Sequence, residues 1–375
     1  MKDIFDSALS DSQATSVKPI QPENFDFEAY SEYESKLSEG CGAFWKSNGG
    51  VLVYRRMRVH EVFSVDSKDM SKSLAWQLGA LQKSMIYQAD VPNFLEPWYG
   101  LGTIGSAFGL DYIWNSGQAP ALNGHFDTVG QLLDFDAKPV KDTAIGRHTL
   151  EMVDYFMTKT KSRLPISYCD VQSPLNIVGN IVESNQFYLD FLLEPDLILK
   201  AFDKVADLFI DFMKIQTDMI GNSLAKPGHG FASNRYFEGM GMSDDNMVML
   251  SNEMYRELAI PSFIKACAPF NGSVFHSCGN WSGKMHDIIE TKDLKMADGA
   301  FSRATDPDPN PTDGFADTFA GTGIVLNARI VGSADIVIQK VKELWKPGMK
   351  LIVVTFCEDP IQQSELYHRI HEICQ

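Results

Sequence analysis

The stretch SADIVIQKVKELWKPGMKLIVVTFC, residues 333–357, shows how this chain is built. Its first part follows Ser333, a residue type that favours a helix N-cap, and ends before Pro347 and Gly348, which predicts a helix over 334–345. The second part, KLIVVTF, is a short continuous apolar run, which is typical of a strand covered on both faces. A helix that leads directly into such a strand favours a parallel sheet with helical crossovers.

The same alternation of helices and strands runs through the chain from about residue 48. A helix is predicted over 195–214, because it opens with Pro195 and its apolar residues recur at three- and four-residue steps. Eight strand-like segments predict a (β/α)8 TIM barrel, with a six-stranded doubly wound sheet as the alternative if two of them are not strands. The eight segments are 50–54, 85–95, 164–171, 240–242, 273–276, 298–301, 323–328 and 351–356.

The ends of the chain differ in character. Residues 1–30 are polar and acidic, so we expect 1–45 to form an N-terminal arm and 46–375 to form the barrel domain. Segment 97–160 is irregular and rich in glycine and polar residues, and we expect it to be an insertion over the barrel mouth.

Composition limits the classes of partner. The chain has 375 residues, with 33 Lys and Arg against 49 Asp and Glu, giving a formal net charge of −16. Such a surface repels phosphate backbones, so nucleic acid is not expected as a partner. The sequence contains neither an apolar run of membrane-spanning length nor a signal-peptide pattern, and its six cysteines lack the spacing of a disulfide scaffold. We therefore expect a cytoplasmic protein that does not associate with membranes.

Two distant segments carry zinc-type ligands. His276-Ser277-Cys278 ends the strand SVFH, and Cys357 directly follows LIVVTF. Residues two apart in a strand face the same side, and histidine and thiolate are ligands that zinc prefers. Active sites of barrel enzymes lie at the C-terminal ends of strands, and three protein ligands leave one position open for a substrate. The alternative is that these cysteines are small buried hydrophobic residues.

The sequence also resembles a known superfamily. HSCGNWSGKMHDIIE (276–290), preceded by SDDNMVMLSNEMYRELAIPSFIKA (243–266), resembles the uroporphyrinogen decarboxylase superfamily, as do segments 165–181 and 187–214. A His-x-Cys pair followed by a distant cysteine is similar to the zinc-dependent methylcobamide:coenzyme M methyltransferases. This resemblance implies a (β/α)8 barrel that moves a methyl group from a corrinoid protein, or from methylcobalamin, to a zinc-activated small thiol such as coenzyme M.

The resemblance implies further site residues. His276, Cys278 and Cys357 are then the zinc ligands, and related methyltransferases place an acidic group near the metal. Glu96, at the end of a predicted strand, and Glu358 are the two candidates for that group. We assign Glu96 as the additional ligand.

Two aspartates are predicted to take part in catalysis. Asp90 looks like the strand-end aspartate that the decarboxylases use to hold pyrrole nitrogens, and Asp244-Asp245 resembles the acidic pair that the superfamily has at the end of its third or fourth strand. The alternative for Asp90 is a helix or turn cap. The alternative for the pair is a helix N-cap before MVMLSNEMY.

Other functions remain open. A uroporphyrinogen-decarboxylase-like decarboxylase would use Asp90 and the arginines within 55–58, and it would need no metal. A zinc-activated thiol could also attack another electrophile such as an epoxide, and a non-catalytic corrinoid carrier is a further alternative. The sequence leaves the oligomeric state open, and a homodimer is one arrangement compatible with it.

Overall fold

The computed structural model describes residues 13–97, 100–114 and 120–375. Its strands are β1 (Gly50–Arg55), β2 (Asp111–Ile113), β3 (Ala121–Asn123), β4 (Met240–Ser243), β5 (Ser273–His276), β6 (Leu294–Ala300), β7 (Val325–Arg329) and β8 (Lys350–Thr355). Six of them form one parallel sheet in the order β1-β8-β7-β6-β5-β4, while β2 and β3 form a separate antiparallel pair. The described residues thus form an α/β fold around a parallel sheet, consistent with a TIM-barrel-like arrangement.

Helices fill the connections between the strands. The predicted helix 334–345 is confirmed as α11 below, and the predicted helix 195–214 as α7, which continues to Ile220. Helix α7 buries one apolar stripe along its length, but Leu199, which its spacing places in that stripe, is exposed. Among the described residues, the α-helices of five or more residues are α1 (Phe27–Lys46), α2 (Met70–Ser84), α3 (Val129–Asp134), α4 (Ala144–Thr160), α5 (Pro174–Ile181), α6 (Ser184–Leu193), α7 (Pro195–Ile220), α8 (Ile260–Cys267), α9 (Met285–Ile289), α10 (Phe315–Phe319), α11 (Ala334–Leu344) and α12 (Pro360–Ile373).

Six of the eight predicted strands are present as regular strands. The other two, 85–95 and 164–171, form only isolated bridges among the described residues, so they do not complete a ring of eight ladders there. Leu95 pairs with Ile166, and Ile166 pairs in turn with Leu224. These bridges run parallel, and a further parallel bridge joins Gln172 to Ser243 at the end of β4.

Beside β1, polar side chains add to one backbone hydrogen bond, which the Asp90 N–H donates to the Val53 carbonyl oxygen at 2.8 Å. Asp90 Oδ2 accepts a hydrogen bond from the Val53 N–H at 2.7 Å, and Asn93 Oδ1 accepts one from the Met57 N–H at 2.8 Å. Pro92 lies between them and has no N–H to donate. This segment therefore follows β1 without forming a regular strand against it.

The register of the sheet brings polar residues into line near one end. His276, the last residue of β5, is the register partner of Asp298 on β6, and Asp298 is the partner of Asn327 on β7. All three strands are parallel, so their C-terminal ends lie at the same edge. Most other side chains of these strands are buried in the apolar core.

The segments outside the sheet are also partly described. Helix α1 begins within the predicted arm 1–45 and ends one residue beyond it, at Lys46, and residues 1–12 of the arm are outside the described part. The predicted insertion 97–160 contains β2, β3, α3 and α4, and its residues 98, 99 and 115–119 are outside the described part. Among the described helices, none combines the length and the apolar character that crossing a membrane requires.

Candidate metal centre

Three side chains of different chemistry meet at the C-terminal edge of the sheet. Asp245 lies two residues after β4, His276 ends β5, and Cys278 follows two residues later. One ligand atom from each, a carboxylate oxygen, an imidazole nitrogen and a thiol sulfur, lies within 4.8 Å of the other two. The C-terminal strand ends are where enzymes of this architecture place reacting groups.

His276 is held by a carboxylate on the next strand. Its Nδ1 lies 2.5 Å from Asp298 Oδ2, and its Nε2 lies 3.5 Å from Cys278 Sγ. Burial alone would lower the pKa of His276, but the hydrogen bonds to Asp298 and to Cys278 raise it to about 10. Burial would likewise raise the pKa of Asp298, but Arg329 and His276 lower it to about 2. Asp298 thereby joins His276 to Arg329, through contacts of 2.5 Å with His276 Nδ1 and 3.0 Å with Arg329 Nε.

The loop that carries Cys278 is shaped by hydrogen bonds to carboxylates. The Cys278 N–H donates to Asp245 Oδ1 at 2.6 Å, and the Gly279 N–H donates to Asp306 Oδ2 at 2.8 Å. Gly279 adopts a φ of +75°, a conformation that favours glycine, so the chain turns directly after Cys278. Asn176 Nδ2 donates to Asp245 Oδ2 at 3.1 Å and fixes the second carboxylate oxygen.

The two neighbouring aspartates have different environments. Asp244 is buried, and its carboxylate accepts hydrogen bonds from the hydroxyl groups of Ser173 and Tyr255. Burial raises the pKa of Asp244 to about 6. Its side chain makes no cap hydrogen bond to the 3₁₀ turn Asp245–Met249, so the helix N-cap alternative is not what these described residues form. Asp245 is instead partly exposed and faces His276.

The donor set fits a zinc ion. Zinc binds imidazole nitrogen, thiolate and carboxylate oxygen at about 2.0–2.3 Å in a tetrahedron, which separates a sulfur from a nitrogen ligand by about 3.5 Å. The Cys278 Sγ to His276 Nε2 distance is 3.5 Å, and Asp245 Oδ1 lies 3.9 Å from the same nitrogen. A carboxylate on the other ring nitrogen, as Asp298 provides, is the usual support of a metal-binding histidine.

A cavity of about 450 Å³ lies beside these three side chains. Phe231 forms one wall, and its ring meets the His276 ring edge-on with centroids 6.2 Å apart. The cavity is lined by charges of both signs, and the basic ones stand out in a chain with a net charge of −16. The charged lining residues are Arg56, Arg58, Arg329, Asp170, Asp245 and Asp298.

Two predicted ligands lie apart from this group of three. Cys357 Sγ is 3.5 Å from the Asp359 carbonyl oxygen, and Cys357 is not among the described side chains that approach His276 within metal-binding distance. Glu358, next to it, is exposed. Glu96 is buried, and its position is defined by contacts with other residues.

Glu96 has three polar neighbours at one oxygen. Its Oε1 accepts from the Gly230 N–H at 3.1 Å and lies 3.4 Å from Arg56 Nη2 and 3.2 Å from His229 Nδ1. Because Arg56 also donates to the Gly230 carbonyl oxygen at 3.0 Å, the pair Arg56–Glu96 holds the loop that carries His229. These contacts indicate a loop-anchoring position for Glu96.

Asp90 contacts the C-terminal helix α12. Its Oδ1 accepts from the Tyr367 hydroxyl at 2.7 Å, and its Oδ2 lies 2.9 Å from His371 Nε2. Asp90 is not among the described residues that line the cavity. The structure therefore brings together His276, Cys278 and Asp245 of the predicted site residues, and leaves Asp90, Glu96 and Cys357 in other surroundings.

Sequence reasoning missed Asp298 and Arg329. The sequence predicts Asp298 only as the first residue of strand 298–301, although a carboxylate inside the apolar run LKMADGA needs buried partners. Arg329 ends β7 and donates from Nε to Asp298 Oδ2 at 3.0 Å. The charge of these two residues, within otherwise apolar strands, is the feature of the sequence that could indicate their role.

No protein-family model matches this sequence, and no curated protein sequence matches it. Among solved structures, a methyltransferase from Methanosarcina mazei has a similar fold, with a TM-score of 0.55 and 13% sequence identity. The match covers 98% of this chain and 97% of that chain. The chain therefore shares its overall fold with the Methanosarcina mazei methyltransferase.

Proposed function

We propose that this chain is a zinc-dependent methyltransferase that moves a methyl group from a methylated corrinoid protein to a zinc-activated thiol. The observation that carries the proposal is the meeting of Asp245, His276 and Cys278 ligand atoms within 4.8 Å, beside a cavity. The sequence resemblance to methylcobamide:coenzyme M methyltransferases supports it, and the chain shares its fold with a protein named as a methyltransferase.

The proposal includes the complete (β/α)8 arrangement. Segments 85–95 and 164–171 would occupy the second and third strand positions between β1 and β4. The parallel bridges of Leu95 with Ile166 and of Gln172 with Ser243 support this order.

The chain's own residues would hold and orient the metal. Asp298 accepts from His276 Nδ1, so Nε2 is the nitrogen that faces Cys278 and the ion. Asp245 supplies an oxygen ligand that the Cys278 N–H keeps in place. When bound, zinc supplies a positive charge that favours the thiolate form of an acceptor thiol near neutral pH. Three protein ligands leave a fourth position for that thiol.

The cavity has features that suit an anionic acceptor. Arg56, Arg58 and Arg329 line it, and guanidinium groups bind sulfonates, carboxylates and phosphates through directed N–H donors. A small thiol with an acidic group, such as coenzyme M, fits this description. The methylated corrinoid would approach from the open side of the same cavity, on its carrier protein.

Some of the zinc ligands are assigned from the geometry of the site, and others are predicted only from the resemblance. We assign the metal to Asp245, His276 and Cys278, and the roles of Cys357 and Glu96 as additional ligands remain predictions from the resemblance. Cys357 would need to leave its contact with the Asp359 carbonyl oxygen in order to reach the ion.

Metal content and methyl transfer together test the proposal. We expect about one zinc per chain in protein purified under reducing conditions, lost in Cys278→Ser. The wild-type protein should then consume methylcobalamin when a suitable thiol is present, and the change in corrinoid absorbance monitors this reaction. A panel of anionic and neutral thiols is compared in the same assay. The proposal would be contradicted if the protein binds no zinc when the metal is added back. It would also be contradicted if the protein binds zinc but transfers a methyl group to none of these thiols.

A decarboxylase is the second candidate, favoured by the arginines that line the cavity, because they would also hold the carboxylates of a tetrapyrrole. The contacts of Asp90 with Tyr367 and His371 disfavour it, since that function needs Asp90 at the substrate. Release of CO₂ from a tetrapyrrole carboxylate by metal-free protein would select this function instead.

A further inference from the structure

We infer that Arg329 is a positioning residue that holds His276 for the metal through Asp298. This inference rests on the proposed function, because it assigns a role in the same zinc site. Arg329 ends β7, two strands away from His276 on β5, and Asp298 on the intervening β6 lies between them.

The sheet register builds this connection. His276 and Asp298 are register partners, as are Asp298 and Asn327, so the three side chains form a row across three parallel strands. Asp298 is only 2% exposed and accepts from His276 Nδ1 at 2.5 Å, from Asn327 Nδ2 at 2.5 Å and from Arg329 Nε at 3.0 Å. Each donor comes from a strand whose backbone is already fixed.

The distribution of these donors fixes the carboxylate. Asn327 occupies Oδ1, whereas His276 and Arg329 share Oδ2. With both oxygens engaged, the carboxylate does not rotate about its axis without losing a hydrogen bond. Oδ2 therefore stays in the position that directs His276 Nε2 toward Cys278.

The buried charge of Asp298 also depends on Arg329. An isolated buried carboxylate is costly, and a paired, hydrogen-bonded one is tolerated. Arg329 is the permanent cation in contact with Asp298, at 3.0 Å, and its side chain is 12% exposed. Loss of the guanidinium would leave Asp298 to reorganise, and His276 would lose its fixed orientation.

Two effects of Arg329 on a bound cation act in opposite directions. As a positive charge on the cavity wall, it repels a metal ion through space; as the support of Asp298, it orders a ligand. Asp298 lies between Arg329 and His276 and offsets the repulsion. We expect the ordering effect to dominate, so removing Arg329 weakens zinc binding.

Zinc affinity and the absorption of bound Co²⁺ test this inference in the full-length protein. We expect Arg329→Met to weaken zinc binding by about 10-fold or more, as found for outer-shell partners of metal ligands, and to alter the visible bands of bound Co²⁺. Arg329→Lys keeps the charge and should recover most of that loss. Arg58→Met is the matched control, because it removes an arginine from the same cavity wall and should leave zinc affinity within about twofold.

The outcomes distinguish this inference from the proposed function. Zinc binding by Arg329→Met that is as tight as in the wild type, or tighter, overturns the positioning role alone. Wild-type protein that binds zinc but transfers no methyl group overturns the methyltransferase proposal and leaves the positioning role standing. Wild-type protein without zinc affinity overturns both. If Arg329→Met does not fold by circular dichroism, Arg329→Gln replaces it, and unchanged zinc affinity there has the same meaning.

Discussion

Asp245 Oδ1 accepts a hydrogen bond from the backbone N–H of Cys278, with an N···O distance of 2.6 Å. This contact joins the loop after β4 to the loop after β5, and it brings a carboxylate, an imidazole and a thiol together. Asp245 is therefore both a candidate ligand and the residue that holds the Cys278 loop. Substitutions at this position should separate the two roles.

We expect Asp245→Asn and Asp245→Ala to weaken zinc binding by at least about 10-fold, because both remove a charged ligand. Asparagine still presents an oxygen to the Cys278 N–H, whereas alanine leaves that donor without its partner. Alanine should therefore also lower the free energy of unfolding, by about 1 kcal/mol relative to asparagine. Zinc competition with a chromogenic chelator and urea unfolding measure the two effects. Wild-type zinc affinity in both variants would remove Asp245 from the ligand set.

Thiol alkylation tests which cysteine binds the proposed zinc ion. Cys278 is exposed and Cys357 is partly exposed, whereas the other four thiols are buried. Burial raises the pKa of Cys169, Cys267 and Cys374 to about 12 and also raises the pKa of Cys41, so these four should react slowly. In the native metal-free protein we expect iodoacetamide to modify Cys278 and Cys357, as mapped by peptide mass spectrometry.

Zinc should change that labelling pattern at one position. Because Cys278 is in the group with His276 and Asp245, saturating zinc should protect it, and Cys357 should react as before. A Cys357→Ser variant should correspondingly retain zinc. Protection of Cys357 by zinc, or zinc loss in Cys357→Ser, would instead establish the ligand set predicted from the resemblance.

The fold could be predicted where apolar pattern and length agreed. Strand β8 and helix α11 lie where the sequence predicts them, because one is buried on both faces and the other has a single buried stripe. Segment 85–95 is also apolar, but the side chains of Asp90 and Asn93 bind the backbone along β1. Contacts between distant segments decide whether side chains or backbone groups hydrogen-bond to β1. The local sequence pattern does not specify these contacts.

The candidate site was predictable only in part, for a similar reason. His276 and Cys278 could be predicted because they are close in sequence and have the right ligand chemistry. The contributions of Asp298 and Arg329 depend on the lateral register of three parallel strands, which a linear pattern does not specify. Asp245 could be proposed from the resemblance, but its contact with the Cys278 N–H appears only in three dimensions.

Asp90 should contribute to stability rather than to zinc binding. It accepts hydrogen bonds from the Val53 N–H and the Tyr367 hydroxyl and contacts His371, so it attaches α12 to β1. We expect Asp90→Ala to lower the free energy of unfolding by roughly 2 kcal/mol, because the buried Val53 N–H and the half-buried Tyr367 hydroxyl lose their acceptor. Urea unfolding measures this loss, and zinc content should be unchanged. Normal stability combined with lost methyl transfer would support the catalytic role predicted from the sequence.

Asp244 should make stability depend on pH in a defined direction. Burial raises its pKa to about 6, whereas the pKa of an aspartate in the unfolded chain is about 4. The folded state therefore holds an extra proton between those values, so the contribution of this group to stability is greatest below about pH 4 and is lost as pH rises through about 6. Asp244→Asn removes this pH-dependent contribution. Asparagine has one side-chain oxygen fewer, so the hydroxyl of Ser173 or of Tyr255 loses its acceptor, but that cost does not depend on pH. The difference in unfolding free energy should shift by on the order of 2 kcal/mol in favour of the variant between pH 4 and pH 7. Urea unfolding of both proteins across this range measures the shift, and parallel profiles would contradict it.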